Sequence, residues 1–282
     1  MAASTYQPPW VRTIDLAQEW HAIRDWWRHP QRIRRAVAAY RNLLAVAPAS
    51  IAYAFTLFVT WWTLRGASDM VGRRLILSAS TNLRNLQRDP IQVLVASAFW
   101  TDGGFPWSVI LVMLTFMALA ERWLGSLRWI LVVATGHIGA TLLVAVGLAH
   151  KVDQHLIPLR VTVATDVGPS YGISAMLAVL TFRLRGRARL AWAGGLLVFY
   201  GLALWDDRTF TDYGHLFALL IGFAVGAIAV TVSRRLLSLL RRRSAPDRVG
   251  GGAGTGGGPR PLEELDRGLD DARGDRTEHR HQ

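Results

Sequence analysis

The chain has 282 residues, a hydrophobic fraction of 51% that includes 12 tryptophans, and a formal net charge of +12. This composition indicates an integral membrane protein in a lipid bilayer rather than a soluble domain. The absence of cysteine excludes disulfides, thiol catalysis and thiolate metal sites. All but one of the basic residues are arginines, and they flank apolar stretches. Their placement indicates membrane topology and argues against a nucleic-acid partner.

The first predicted region is residues 1–45. Between residues 10 and 45, tryptophans and arginines alternate with intermittent apolar positions. This pattern is typical of an amphipathic segment that lies on the cytoplasmic surface of a membrane. The alternative is a solvated helix that packs on nothing.

The second predicted region, 46–233, is a membrane domain of six apolar spans. A span needs about 20 residues, so the second, fourth and fifth are short and need cover from neighbouring helices. Four groups of arginines fall on one side of the membrane if both termini are cytoplasmic, although the arginines of the first loop break this rule. The fold class is therefore an all-α polytopic bundle, placed in the plasma (inner) membrane. The predicted spans are 46–64, 106–120, 130–149, 167–182, 190–205 and 213–232.

Two further segments are predicted outside the spans. The first outer loop, 65–105, contains an apolar stretch at 91–100 that is too short to span and is expected at the interface or as a re-entrant piece. From residue 244 to 282, a glycine-rich run and mixed charges without apolar periodicity predict a disordered cytoplasmic tail.

Ser170 and His215 are the candidate catalytic residues. Each is predicted about one helical turn inside a span, and both spans run inward from the same side of the bilayer. A serine needs a base to become a nucleophile, and histidine is the usual base. Polar side chains inside a membrane favour a functional site. The competing interpretation is that these are two packing residues at one level.

Small residues surround both candidates. They recur at four-residue intervals, and such stripes let two membrane helices approach closely. Close approach brings a serine and a histidine into hydrogen-bond range, but inert bundles pack in the same way. The predicted packing residues are Gly168 and Gly172 on the fourth span and Gly214, Ala218, Gly222 and Gly226 on the sixth.

Three short motifs occur in order along the chain, at residues 121–126, 168–170 and 215–222. They resemble those of the rhomboid proteins, the intramembrane serine proteases and their inactive relatives. The resemblance covers about residues 46–233 and implies the six-helix fold, Ser170 as nucleophile and His215 as general base. It further implies partial oxyanion support from the backbone around Gly168 and Tyr171. The motif residues are Glu121, Arg122, Gly125 and Ser126 after the second span, Gly168, Pro169 and Ser170 in the fourth, and His215 with Gly222 in the sixth.

The chain departs from the family pattern around this pair. Active members carry glycine where Tyr171 stands, and a histidine and an asparagine that bind the oxyanion where Phe105 and Val109 stand. Ser174 replaces a usual aromatic residue and Ala218 a usual glycine. Loss of one oxyanion donor typically lowers the rate about a hundredfold or more.

Two hypotheses follow. One is a serine endopeptidase that cuts transmembrane substrates. The other is a proteolytically inactive relative that binds membrane helices or membrane-protein partners. A small transporter, a third class, requires charged groups across the bilayer midplane, and His137 is almost the only candidate there. His137 is expected to be a hydrogen-bonded packing residue. Neither a metal nor another cofactor is expected.

Overall fold

A computed structural model of the protein describes residues 8–28, 30–156, 158 and 163–243. The predicted tail, 244–282, lies outside these residues. Helices form nearly all of the described chain, and no strand occurs within it. The helices are α1 (Leu16–Trp27), α2 (Arg32–Ala45), α3 (Pro48–Gly66), α4 (Asp69–Ala79), α5 (Leu83–Arg88), α6 (Pro90–Phe99), α7 (Trp107–Val112), α8 (Ala118–Leu124), α9 (Ser126–Asp153), α10 (Ser170–Leu180), α11 (Gly186–Asp206) and α12 (Phe210–Arg243).

Several helices are long and apolar enough to cross a membrane, which confirms the all-α polytopic class. Four segments of the described chain meet this test alone: Trp107–Leu124, in which a π-helical turn joins α7 to α8, and the helices α9, α11 and α12. Helix α3 meets it only together with α2, and the two are bent by 87°. The predicted fourth span contains α10, which has only 11 residues. The predicted count of six is therefore not established by length and composition.

Helix α10 is short because protein rather than lipid surrounds it. Eleven residues at about 1.5 Å each cover roughly half of a hydrocarbon core about 30 Å thick. Its neighbours α9, α11 and α12 enclose it, and Ala175, Met176, Ala178 and Val179 are fully buried. A helix covered by protein does not need to match the bilayer thickness.

Glycines set the distances between α9, α10 and α12. A Cβ added at Gly136 or Gly222 would overlap atoms of Ala175, and one at Gly172 would lie 2.7 Å from a side-chain carbon of Val133. A Cβ added at Gly226 would likewise overlap the ring of Phe182. Ala218 is fully buried. The small residues of α12 therefore face α10, and these helices pack nearly backbone to backbone.

The apolar stretch predicted as too short to span forms α6, which lies against the bundle. The Tyr53 hydroxyl donates to the Ala98 carbonyl at 2.6 Å, and the Thr60 hydroxyl donates to the Phe99 carbonyl at 2.8 Å. These bonds satisfy carbonyls at the free end of α6, where water is scarce. These bonds fix the end of α6 to α3, while one face of α6, including Ile91 and Val95, stays exposed.

The segment before α1 packs on the end of the bundle where α8 stops. The Trp123 indole donates to the Pro9 carbonyl at 2.7 Å, and the Ile14 amide donates to the Arg183 carbonyl at 2.8 Å. Exposed apolar residues then follow along α1 and α2, including Trp20 and Trp27. The amphipathic surface role of region 1–45 stays a prediction.

Candidate functional site

Ser170 is the first residue of α10 and not, as the sequence predicted, a turn inside a longer helix. Gly168 precedes it with φ +128°, a left-handed conformation that glycine adopts readily, and its amide donates to the Ser97 carbonyl at 2.7 Å. Pro169 follows. It has no backbone N–H to donate, which is tolerated at the start of a helix because the first amides have no partner within the helix. This turn places Ser170 at the helix start, half-buried.

His215 lies near the start of α12, at the same end of the bundle as Ser170. Two tyrosine rings flank its imidazole: the Tyr171 centroid is 5.2 Å away in an edge contact, and the Tyr200 centroid is 6.0 Å away. Within the described part of the chain, neither the Ser170 hydroxyl nor the His215 ring makes a side-chain hydrogen bond. The serine–histidine bond that activates a nucleophile is therefore not formed between the two predicted catalytic residues, and their catalytic role stays a prediction.

Tyr171 occupies the space between α10 and α12. Its side chain is 2% exposed, packs with Ala140 and Ala218, and lies so close to Gly214 that a Cβ there would overlap the phenol. Its hydroxyl donates to Asp166 Oδ2 at 3.0 Å. The aromatic contact to His215 is thus made by the residue directly after Ser170, where the resemblance implies glycine.

Asp166 connects this tyrosine to the first outer loop. The Thr81 amide donates to the Asp166 carbonyl at 3.0 Å, and the Thr81 hydroxyl donates to Asp166 Oδ2 at 3.2 Å. Burial raises the pKa of the Asp166 carboxyl, while hydrogen bonds from Tyr171 and Thr81 offset part of the rise. A half-buried carboxyl therefore holds Tyr171 in place.

We expect Asp166 to make the folded protein less stable as the pH rises from acid to neutral. A carboxyl with a raised pKa in the folded chain contributes stability below its unfolded pKa, and loses that contribution as the pH passes its folded pKa. The midpoint of thermal unfolding of the purified parent should fall as the pH rises across this range, and Asp166→Asn should remove this part of the fall. Asp102→Asn, at an exposed carboxyl, should keep it. An unchanged pH dependence in Asp166→Asn would contradict this assignment.

Oxyanion donors are missing from the positions where the resemblance implies them. Phe105 lies before α7 in an aromatic cluster, with ring centroids 4.6 Å from Trp61 and 4.2 Å from Trp107. Val109 packs against the main hydrophobic core. Neither side chain can donate a hydrogen bond, so neither can stabilise an oxyanion. The backbone support around Gly168 and Tyr171 that the resemblance implies stays a prediction.

Sequence reasoning missed Ser97, which joins three parts of the bundle. Its hydroxyl lies 3.0 Å from His137 Nε2, and its carbonyl accepts from the Gly168 amide. His137 is thus a hydrogen-bonded packing residue, as expected. Because Ser97 is fully buried, this second serine–histidine pair is a polar tie that supports the turn before Ser170. A lone serine in an apolar stretch gave no signal for a partner 40 residues away.

The motif after the second span forms a structural centre at the opposite end of the bundle. Glu121 is fully buried, and its carboxylate accepts from the Ala49 amide at 2.9 Å, the Ser50 amide at 2.7 Å and the Ser126 hydroxyl at 2.6 Å. Gly125 has φ +83°, which permits the sharp change of direction between α8 and α9. The neighbouring Arg122 is exposed. Glu121 therefore caps the start of α3 and links it to α8 and α9.

Among the described residues, no group of three or more histidine, aspartate or glutamate side chains gathers as a metal site. His150, near the end of α9, lies with its Nε2 atom 2.9 Å from the side-chain amide nitrogen of Gln154. The expectation that the protein needs no metal and no other cofactor stays a prediction.

The chain is a polytopic helical membrane protein, because several of its helices are long and apolar enough to span a membrane and enclose α10. Ser170 and His215 lie at one end of this bundle. The chain belongs to the rhomboid-like protein family, whose model matches residues 42–235, more than half of its length. The curated proteins and the solved structures compared with the chain include no match.

Proposed function

We propose that this rhomboid-like protein binds membrane-spanning helices of partner proteins without cleaving them. The observation that carries the proposal is the position of Tyr171, whose ring fills the gap beside His215 while its hydroxyl bonds to Asp166. A nucleophilic serine requires its base within hydrogen-bond reach. Tyr171 takes the place next to the imidazole, and Ser170 has no side-chain hydrogen bond within the described chain.

The missing oxyanion donors support the same proposal. Acyl transfer builds negative charge on the substrate carbonyl oxygen, and each donor that stabilises this charge contributes a factor of about a hundred or more in rate. Phe105 and Val109 contribute none. A site that lacks both the activated serine and these donors is poorly suited to hydrolysis.

Helix α11 is the surface we propose for partner helices. Only Tyr200 on this helix is buried, and a Cβ added at Gly194, Gly195 or Gly201 would meet nothing within 4 Å. At most glycines of α9, α10 and α12, by contrast, neighbouring residues occupy the space where a Cβ would lie. Glycine inside a helix costs about 1 kcal/mol relative to alanine, so these open glycines favour close approach by a helix from another protein.

We place the protein in the inner (plasma) membrane with both termini in the cytoplasm. The arginines around Glu121 and at the end of α12 support this orientation, because basic residues concentrate on the cytoplasmic side. The end with Ser170 and His215 then faces outward.

The alternative is an intramembrane serine endopeptidase with Ser170 as nucleophile and His215 as general base. One observation favours it: α10 and α12 pack so closely that the residue next to Ser170 touches His215. Catalytic hydrogen bonds are often long in unliganded enzymes and tighten only when substrate binds. Transmembrane proteins would then be substrates rather than partners.

Site-specific photocrosslinking in cells tests the binding proposal. A photoreactive residue at Val198, exposed on α11, should trap transmembrane partners, whereas one at Ile228, similarly exposed on α12, should trap few. Gly201→Leu should reduce capture at Val198 about tenfold, which corresponds to about 1.4 kcal/mol, because the added side chain would prevent close approach of a second helix. Ser170→Ala and His215→Ala should leave capture unchanged. Equal capture at both positions, or no effect of Gly201→Leu, would contradict the proposed surface.

A further inference from the structure

A cavity of about 550 Å³ lies between the end of α9, the loop after α11 and the start of α12. Its volume falls within the ~300–1,000 Å³ typical of small-molecule sites. It opens between two helices that are each long and apolar enough to span a membrane. This position gives lipid direct access to the cavity. It does not include Ser170 or His215.

Most of the cavity lining is apolar. Leu143 and Val144 line it from α9, and Phe210 and Phe217 line it from α12. Gly147 also lines the cavity, and a Cβ added there would meet nothing within 4 Å. The missing side chain leaves room for a flexible hydrocarbon chain along α9.

Two cations line the cavity. Lys151, the one lysine of the chain, holds its ammonium 5.5 Å from the centre of the Tyr213 ring, and Arg208 holds its guanidinium 5.4 Å from the centre of the Trp205 ring. Arg208 has φ +50°, an uncommon conformation for a residue with a side chain. Asp207 also lines the cavity, so two positive charges and one negative charge give the lining a net positive charge. Among the described residues, neither cation forms an ion pair with a carboxylate.

We propose that this cavity binds a phospholipid with an anionic headgroup, whose phosphate lies at Lys151 and Arg208 and whose acyl chain occupies the groove at Gly147. Apolar walls match the chain, and two cations that form no ion pair with a carboxylate of the described residues match the phosphate. Lysine and arginine side chains bind phosphate oxygens through charge-assisted hydrogen bonds. The proposal is independent of whether Ser170 is catalytic.

Photolabelling of the full-length protein in nanodiscs tests the site. The probe is phosphatidylglycerol with a photoreactive acyl chain, in a phosphatidylcholine bilayer, and labelled peptides should come from α9 and α12 around Leu143 and Phe217. Lys151→Gln and Arg208→Gln should each lower this labelling about fivefold, which corresponds to about 1 kcal/mol, because each removes one of the two charges that attract the phosphate. Arg88→Gln, at an exposed arginine of α5, should leave it unchanged.

Gly147→Leu should fill the groove and abolish labelling, because it adds a side chain to open space without a steric clash. Gly66→Leu, at an open glycine at the end of α3, is the matched control and should label like the parent. Equal labelling by a phosphatidylcholine probe would overturn the proposal. So would persistence of the label in Gly147→Leu, or full competition by soluble glycerol phosphate, which would show that the site takes the anion without the lipid.

Discussion

Replacing Glu121 by alanine is expected to lower the free energy of unfolding by about 3 kcal/mol or more. The buried carboxylate accepts three hydrogen bonds, from Ala49, Ser50 and Ser126. Bonds to a charged group are stronger than neutral ones, and the two amides would lose their partners away from water. Thermal unfolding of purified protein in detergent should show a markedly lower midpoint, and the yield of folded protein should fall.

Two variants make this prediction specific. Arg122→Ala changes the adjacent exposed residue and should unfold like the parent. Ser126→Ala removes one of the three bonds and should cost about 1 kcal/mol. If Glu121→Ala unfolded at the parental temperature, the proposed capping of α3 by this carboxylate would be wrong.

Gly222→Ala is expected to produce the second large loss of stability, about 1–3 kcal/mol. The added methyl would overlap the carbonyl oxygen of Ala175, and backbone atoms cannot move aside as a flexible side chain can. Helices α10 and α12 would have to separate, which would disturb the turn that holds Ser170. The same thermal unfolding measurement reads this effect.

Gly195→Ala is the matched control for Gly222→Ala. It makes the same chemical change on α11, where the methyl meets nothing within 4 Å. Because alanine is a better helix former than glycine, this variant should be as stable as the parent or more stable. Equal destabilisation by both substitutions would contradict close packing at Gly222 as the cause of the loss, because Gly195 has open space around it.

The helical class and the family could be predicted from the sequence because they depend on local signals. Apolar stretches and flanking arginines indicate membrane helices wherever they occur, and three short motifs in order carry the family resemblance. The bend between α2 and α3 also has a local cause at Pro48, because the residue before a proline disfavours helix. The predicted first span began at Val46, two residues before this break.

The details of the candidate site could not be predicted, since they depend on contacts between distant segments. Helix α10 is shorter than the predicted fourth span because protein encloses it, which hydropathy does not reveal. The bond between Ser97 and His137 joins segments 40 residues apart. Tyr171 could be recognised as a departure from the family pattern, but its contacts with Asp166 and His215 required the folded bundle.

The most direct measurement of the central claim is labelling of the purified protein with a serine-directed fluorophosphonate, paired with an assay for cleavage of transmembrane substrates. An active rhomboid-type protease is the positive control, and Ser170→Ala is the matched negative control. We predict that the parent and Ser170→Ala show the same background labelling and that neither cleaves a substrate. Labelling or cleavage that disappears in Ser170→Ala would contradict the non-proteolytic account and establish Ser170 as a nucleophile.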